Sequence, residues 1–310
     1  FRGRKSWLVR SNNPGQRYIG SYYDFAKIQN ISTAASVIIA AEYERGRIIV
    51  GAPPPAINYT EWSDAAFFKL HQMGFFKSVG LATHDEPSIT DEDGAVTMKI
   101  VSGTVGDALD ASANALEELL REQFPDSYLE PILFSINTAV SEGLTNIANW
   151  AYRENTELSL KRWWFAATVA PAKRLLTFVV YDQGVTIPGS LPHQRWYEDF
   201  ITFVCKLSRR SGRNVTSISD SHWITAAIEY GRSRSRMDHR GKGLAQIAQL
   251  IDQCDDGSLR IVSRRGSCYL AKGQPIIEER PTRNGLAGTL LEWHLRLPVL
   301  KDGGHLSGND

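Results

Sequence analysis

The sequence is short of cysteine, of methionine and of any surplus of charge. Three cysteines among 310 residues, Cys205, Cys254 and Cys268, form no C-x-x-C pair, and no H-E-x-x-H occurs. A disulfide framework and a zinc module are thereby excluded, and a reducing compartment fits. Thirty-five Lys and Arg balance 34 Asp and Glu to leave +1, which removes the global electrostatic footprint of a dedicated nucleic-acid binder. No run of about eighteen uncharged apolar residues exists, and the opening Phe1–Trp7 lacks the apolar stretch of a secretory signal. The expectation is a cytoplasmic protein with no membrane segment. The absence of G-x-x-x-x-G-K-[ST] excludes a P-loop. The pair Gly241-x-Gly243 has neither a third glycine nor a preceding strand, which excludes a Rossmann fingerprint.

What is present is core material, at 42% hydrophobic and 22% charged residues, enough for two domains or one large one. Ser36–Ala41 and Arg47–Val50 read as strands, followed by a proline loop at 52–56. A helix is expected from an N-cap at Thr60 to Gly74, then a strand over Ala95–Val101 and an amphipathic helix over Asp107–Gln123. That alternation predicts a small α/β domain over 1–124, with a boundary at Phe124-Pro125-Asp126. Beyond it come a long helix (Pro131–Arg153), strands at Trp163–Ala170 and Arg174–Tyr181, and a helix after Gly243. Strands near Leu259–Ser263, Cys268–Ala271 and Thr289–Leu297 complete the list. The fold class expected is α/β in the α+β sense, with helices layered on an antiparallel or mixed sheet over 125–298 and a flexible tail at 299–310.

Three segments carry chemistry. The 22 residues from Pro131 to Tyr152 contain one charged side chain, Glu142, so this helix is expected to be covered on both sides. At about 100° per residue, Glu142, Asn146, Asn149 and Arg153 share one flank, opposite Leu133, Val140, Leu144 and Ile147. A sheltered Glu one turn from an Asn offers a base and an oxygen ligand for a hard cation such as Mg²⁺. A hydrogen-bonded Glu in a seam between domains is the plain alternative. The second segment, Thr177–Pro188, is a buried strand that ends in Asp182 and turns at Gly184, where an acid can accept from an exocyclic amine. A turn-capping Asp is equally compatible. In the third, Asp238–Leu244, two glycines precede a helix and leave free N–H groups for phosphate.

In this order the segments resemble the GHKL (Bergerat-fold) ATPase superfamily. Ala139-Val140-Ser141-Glu142-Gly143-Leu144-Thr145-Asn146 with Ala151-Tyr152 is similar to its N box, nearest to that of anti-sigma-factor serine kinases. Asp182-Gln183-Gly184-Val185-Thr186-Ile187-Pro188 resembles the D-x-G-x-G-I-P box, Arg240-Gly241-Lys242-Gly243-Leu244 the glycine box, and Gly288-Thr289 the segment supporting the adenine-contacting Asp. The resemblance implies that Glu142 orients or deprotonates an attacking water and that Asn146 holds Mg²⁺. Asp182 would bind adenine, and Gly241 and Gly243 would approach the phosphates. Asn149, Gly184, Ile187, Arg240, Lys242, Leu244 and Thr289 would line the ATP site. Thr186 stands where the box usually has its second glycine, and Trp150 where anti-sigma kinases often carry His. The N-terminal pattern, ending in Leu70–Phe76, resembles a STAS-like regulatory domain.

The segment 189–240 is too long for a plain loop and reads as a lid with a helix near His222–Glu229. Within 205–240, Lys206, Arg209, Arg210, Arg213, Arg232, Arg234, Arg236 and Arg240 outnumber Asp220, Glu229 and Asp238 by five. This excess suits a phosphate clamp, and a nucleic-acid contact is the less favoured use. The resemblance thus implies Mg-ATP binding with slow hydrolysis that drives a conformational or dimerisation switch, with a protein partner or homodimer. Its rivals are a serine/threonine kinase and a non-catalytic nucleotide module. A histidine kinase is disfavoured, because Glu142 replaces the usual Asn and no helical hairpin with a phosphoacceptor His precedes it.

Overall fold

The computed structural model describes residues 4–10, 17–23, 27–51, 61–78, 94–107, 110–210, 218–233, 243–279, 284–301 and 305–306. It divides into two compact units, Phe1–Glu92 and Asp93–Asp310. In the first, β1 (Arg4–Arg10) and β2 (Arg17–Tyr23) form an antiparallel hairpin. Three helices follow: α1 (Thr33–Val50), α2 (Asp64–Gln72) and α3 (Phe75–Ser78).

Helix α1 corrects the strands expected at Ser36–Ala41 and Arg47–Val50. Ser32 caps it by accepting from the Ala35 N–H at 3.1 Å, and Gly51 closes it at φ 78 while donating to the Arg47 carbonyl. Between these caps the β-branched residues fall at helical spacing, so Val37, Ala40, Ala41 and Tyr43 are all buried. Tertiary burial overrides the strand preference of that run. The strand-and-helix alternation behind the STAS-like comparison is therefore absent over 33–50. Helix α2 starts from Ser63, which accepts from the Ala66 N–H and also donates to the Ile28 carbonyl at 2.8 Å. The proline loop at 52–56 and Thr60 lie outside the described residues.

The second unit is a layer of helices on an eight-stranded open sheet. Its strands run in the order β3 (Val96–Thr97), β5 (Arg162–Ala170), β6 (Leu175–Asp182), β10 (Leu286–Arg296), β7 (Asp256–Arg264), β8 (Gly266–Ala271) and β9 (Ile277–Glu278). The short β4 (Val101–Thr104) also pairs with β5, and every pairing is antiparallel. This α+β architecture agrees with the expected class. The boundary does not fall at 124/125. Val96 and Thr97 pair with Val169 and Thr168, and Val101–Thr104 pair with Phe165–Arg162. The Trp163 indole N–H donates to the Thr104 carbonyl at 3.1 Å. Helix α4 (Asp110–Gln123) adds Leu116, Leu119 and Leu120 to the same core. Both segments complete the sheet domain, because β5 would otherwise be a bare edge.

The long helix is α5 (Asp126–Asn146), continued by a π-helical turn at Ile147–Ala151. Its inner face (Leu129, Ile132, Ile136, Val140, Leu144) packs on Phe165, Phe178 and Val180. Its outer face is open: Phe134 is 79% and Trp150 47% exposed, so α5 is covered on one side only. Segment 189–240 is mainly ordered helix: α6 (Ile187–Ser190), α7 (Tyr197–Arg210) and α8 (Asp220–Ser233). Leu191, Phe200, Val204, Ala226, Ala227 and Tyr230 give it a small core of its own. The basic residues Arg213, Arg234, Arg236 and Arg240 lie outside the described residues. In the segment expected as a flexible tail, Leu300–Lys301 pairs with His305–Leu306. Among the described residues no helix is long and apolar enough to cross a membrane.

A fragment 93–310 is predicted to unfold cooperatively and to outlast a fragment 125–310 in thermal melts. The shorter fragment loses the burial of Leu116, Leu119 and Leu120, roughly 5 kcal/mol or more at the usual value for a leucine. Equal melting temperatures would restore the 124/125 boundary.

Candidate functional site

One irregularity in the sheet creates the site. Strand β10 pairs with β7 from Arg296 up to Thr289, then slips before Leu286. Such a bulge twists the strand and redirects its backbone. Gly288 sits in it at φ 77, and a Cβ there would lie 2.0 Å from the Asp182 carbonyl. Only glycine fits. The close approach brings the Thr289 N–H to the Asp182 carboxylate at the end of β6. A second N–H, from Gly184, reaches Asp182 Oδ1 at 2.7 Å. Gly184 is pinned for a related reason: its Cβ would fall 2.0 Å from the Ala151 carbonyl, which accepts from the Val185 N–H at 2.7 Å. The end of the π-helical turn and the turn after β6 are thus in direct backbone contact.

Asp182 is 3% exposed. Burial pushes its carboxyl up to about 7, against the pull of the Gly184 and Thr289 N–H groups. A shift of that size corresponds to about 4 kcal/mol held in the folded state against ionisation. Around Asp182 opens a cleft with about 120 Å³ of space for water centres, some ten times what one water requires. Its lining comes from distant parts of the chain. Asn146, Asp182, Ile187, Gly243, Leu244 and Thr289, all anticipated from sequence, meet there.

Other anticipated residues fall elsewhere. Gly184 buttresses the floor from behind. Glu142 is half-buried on α5 one turn before Asn146, and Asn149 is exposed; neither lines the cleft. The π-helical turn explains Asn149. Its i→i+5 geometry adds a residue, so the flank drawn at α-helical spacing breaks after Asn146 and Trp150 becomes the cleft-lining residue. Arg240, Gly241 and Lys242 lie outside the described residues. Gly243 opens α9 (Gly243–Gln249), and its Cβ would stand 2.8 Å from Asn146 Nδ2. Trp293 holds α9 down by donating its indole N–H to the Ile247 carbonyl at 3.2 Å, with its ring stacked 4.4 Å from Phe178.

Ser263 and Trp196 are among the contributors that escape sequence reasoning. Ser263, fully buried on β7, accepts from the Ile187 N–H at 2.8 Å and lies 2.8 Å from Thr289 Oγ1, joining the turn to the bulge. A serine within an apolar strand was its only signal. Trp196, from the segment read as a lid, lines the cleft together with Trp150 and Asn146. Burial raises the Cys254 and Cys268 thiols to about 12, which disfavours their thiolates at neutral pH.

A cation or a polar ligand has one evident anchor. Asn146 Nδ2 is buried without a hydrogen-bond partner, and its amide can turn nitrogen or oxygen toward the cleft. Among the described residues no group of three His, Cys, Asp or Glu could hold a metal alone. No protein-family model matches the sequence, and no curated protein matches it.

Thr186 lies at φ 75, ψ 158, a region used almost only by glycine, while its hydroxyl accepts from the Gly189 N–H at 3.2 Å. Strain of about 1–3 kcal/mol outweighs a cap whose exchange for glycine costs a few tenths. Thr186→Gly should therefore raise the denaturation midpoint in urea, and a lowered midpoint would contradict the strain. Asp182→Asn gives a second expectation. The folded pKa is raised, so stability is highest below the ordinary carboxylate pKa of 3.8 and is lost as pH climbs to about 7. The variant should exceed the parent in stability by a margin that grows by roughly 2–3 kcal/mol from pH 5 to pH 8. A margin independent of pH would mean that the carboxylate is not buried against ionisation.

Proposed function

We propose that the second unit binds Mg-ATP in the Asp182 cleft, in the manner of the GHKL ATPases. The observation that carries the reading is the meeting of Asn146, Asp182, Ile187, Gly243, Leu244 and Thr289, from four separate segments, around one cleft. The antiparallel sheet with helices on one face is compatible with that superfamily's fold. In this reading ionised Asp182 accepts from the exocyclic amine of adenine. Thr289 and Gly184 hold the carboxylate through their N–H groups, and Ile187, Leu244 and Leu291 cover the base. Asn146 faces the phosphate side beside Gly243, where Mg²⁺ would supply charge neutralisation for the triphosphate. Glu142, one turn earlier on α5 and not part of the cleft lining, is the residue to which the resemblance assigns the orienting of a water for slow hydrolysis.

The pH dependence follows from Asp182. Protonation replaces one accepting oxygen by an O–H donor and removes the charge that strengthens the bond to the amine, so adenine binding should weaken as pH falls below about 7, by at most tenfold per unit. Adenosine, which carries no titrating phosphate, is the probe, and NMR titration between pH 6 and pH 8 is the measurement. Asp182→Asn should flatten the profile and weaken ATP binding about ten- to a hundredfold in calorimetry. An unchanged affinity would remove adenine from Asp182. Glu142→Ala should leave ATP binding intact and lower phosphate release by roughly 10²–10⁴-fold, whereas parental turnover would take the base role from Glu142.

A further inference from the structure

The cleft takes Ser190, Leu191, Gln194, Trp196 and Ala227 from segment 187–233, residues that the sequence motifs do not account for. Its described lining contains no Lys or Arg, and apart from Asp182 its polar groups are the uncharged Asn146, Thr186, Ser190, Gln194 and Thr289. Among the described lining residues, the contacts on offer are flat apolar surface and edge hydrogen bonds. Trp196 supplies the largest such surface in this segment. It is half-buried, and its indole is braced by Tyr230, stacked at 5.2 Å and 28°, and by Phe200, edge-on at 5.6 Å and 86°. Tyr230 is in turn met edge-on by Phe200 and Phe203, which fixes the platform from behind. An indole held this way loses little conformational entropy when a ring settles on it.

The geometry points to Trp196 as the aromatic platform on which the planar purine of a bound nucleotide lies, with the base edge turned to Asp182. This rests on the nucleotide reading and adds to it a division of labour. Asp182 selects the base by its hydrogen bond, while Trp196 supplies sequence-tolerant stacking affinity. The segment 187–233 therefore contacts the base, which differs from a lid acting on phosphates alone.

The test uses the full chain with ADP and inorganic tripolyphosphate as probes, in calorimetry on the parent, Trp196→Phe, Trp196→Leu and Asp182→Asn. Trp196→Phe keeps a ring and should stay within about threefold of the parent for ADP. Trp196→Leu should weaken ADP roughly ten- to a hundredfold and leave tripolyphosphate unchanged. In the parent labelled with 5-fluorotryptophan, the ¹⁹F resonance missing from Trp196→Phe should shift with ADP and not with tripolyphosphate. That readout needs no variant to bind, so a misfolded Trp196→Leu leaves the proposal open to refutation. If ADP binding is lost in Asp182→Asn, unchanged in Trp196→Leu and silent in the Trp196 resonance, the platform falls and the nucleotide reading stands. If the parent binds no ADP, both fall together.

Discussion

The buried carboxylate of Asp182 organises one end of the cleft in the second unit. Asp182 ends the central strand β6 at 3% exposure, where an isolated charge would be costly. Two backbone N–H groups make the position tenable, and each is available only because a glycine permits a contact that no side chain would allow. Gly288 lets the β10 bulge close on the Asp182 backbone, and Gly184 lets the turn close on Ala151. Ser263 then ties the bulge to the turn through Thr289 and Ile187. The local cost in stability and the cleft's chemistry have one origin, a group held near its ionisation point where a ligand can reach it.

The rest of the cleft is positioned by hydrophobic packing that is independent of that carboxylate. Helix α5 lies on Phe165, Phe178 and Val180, and α9 is fastened through Trp293 to the same sheet. Their ends meet where Gly243 rests against Asn146. Because both helices are seated on one close-packed core, the spacing between Asn146 and Asp182 is set by the sheet and does not wait for a ligand.

The sequence was most informative where periodicity and burial act together, and least where backbone irregularity decides. The strands Trp163–Ala170 and Arg174–Tyr181 are apolar runs and appear almost as expected. Asp182 and Gly184 were singled out by an apolar strand that ends in an acid and turns at a glycine, and Thr289 only by the resemblance of Gly288-Thr289 to a family segment. Asn149 was misplaced because a π-helical turn leaves no mark in residue spacing. The run Ser36–Ala41 was misread because the caps that make it helical, Ser32 and Gly51, lie outside the apolar stretch itself. Ser263 and Trp196 acquire meaning only from tertiary neighbours: one from a register slip in the sheet, the other from a helical segment whose small core cannot be seen in one dimension.

That core also constrains any motion of the cleft wall. Helix α8 is bolted to the sheet at several points. Ser221 donates to the Glu279 carbonyl and accepts from the Ser267 N–H, Asp220 accepts from the Arg265 N–H, and His222 pairs with Glu278 at 2.8 Å. Gly266 adds a backbone contact, since a Cβ there would stand 2.4 Å from Asp220. Swinging α8 outward would break these bonds and strip Ile224 and Ile228 from the main core. Two large buried aliphatics alone make that unfavourable by roughly 3–6 kcal/mol. A ligand that drove such a swing would need a comparable difference in affinity between the open and closed states. Helix α8 is therefore fixed to the sheet, and Trp196, stacked on Tyr230 and met edge-on by Phe200, is braced against it.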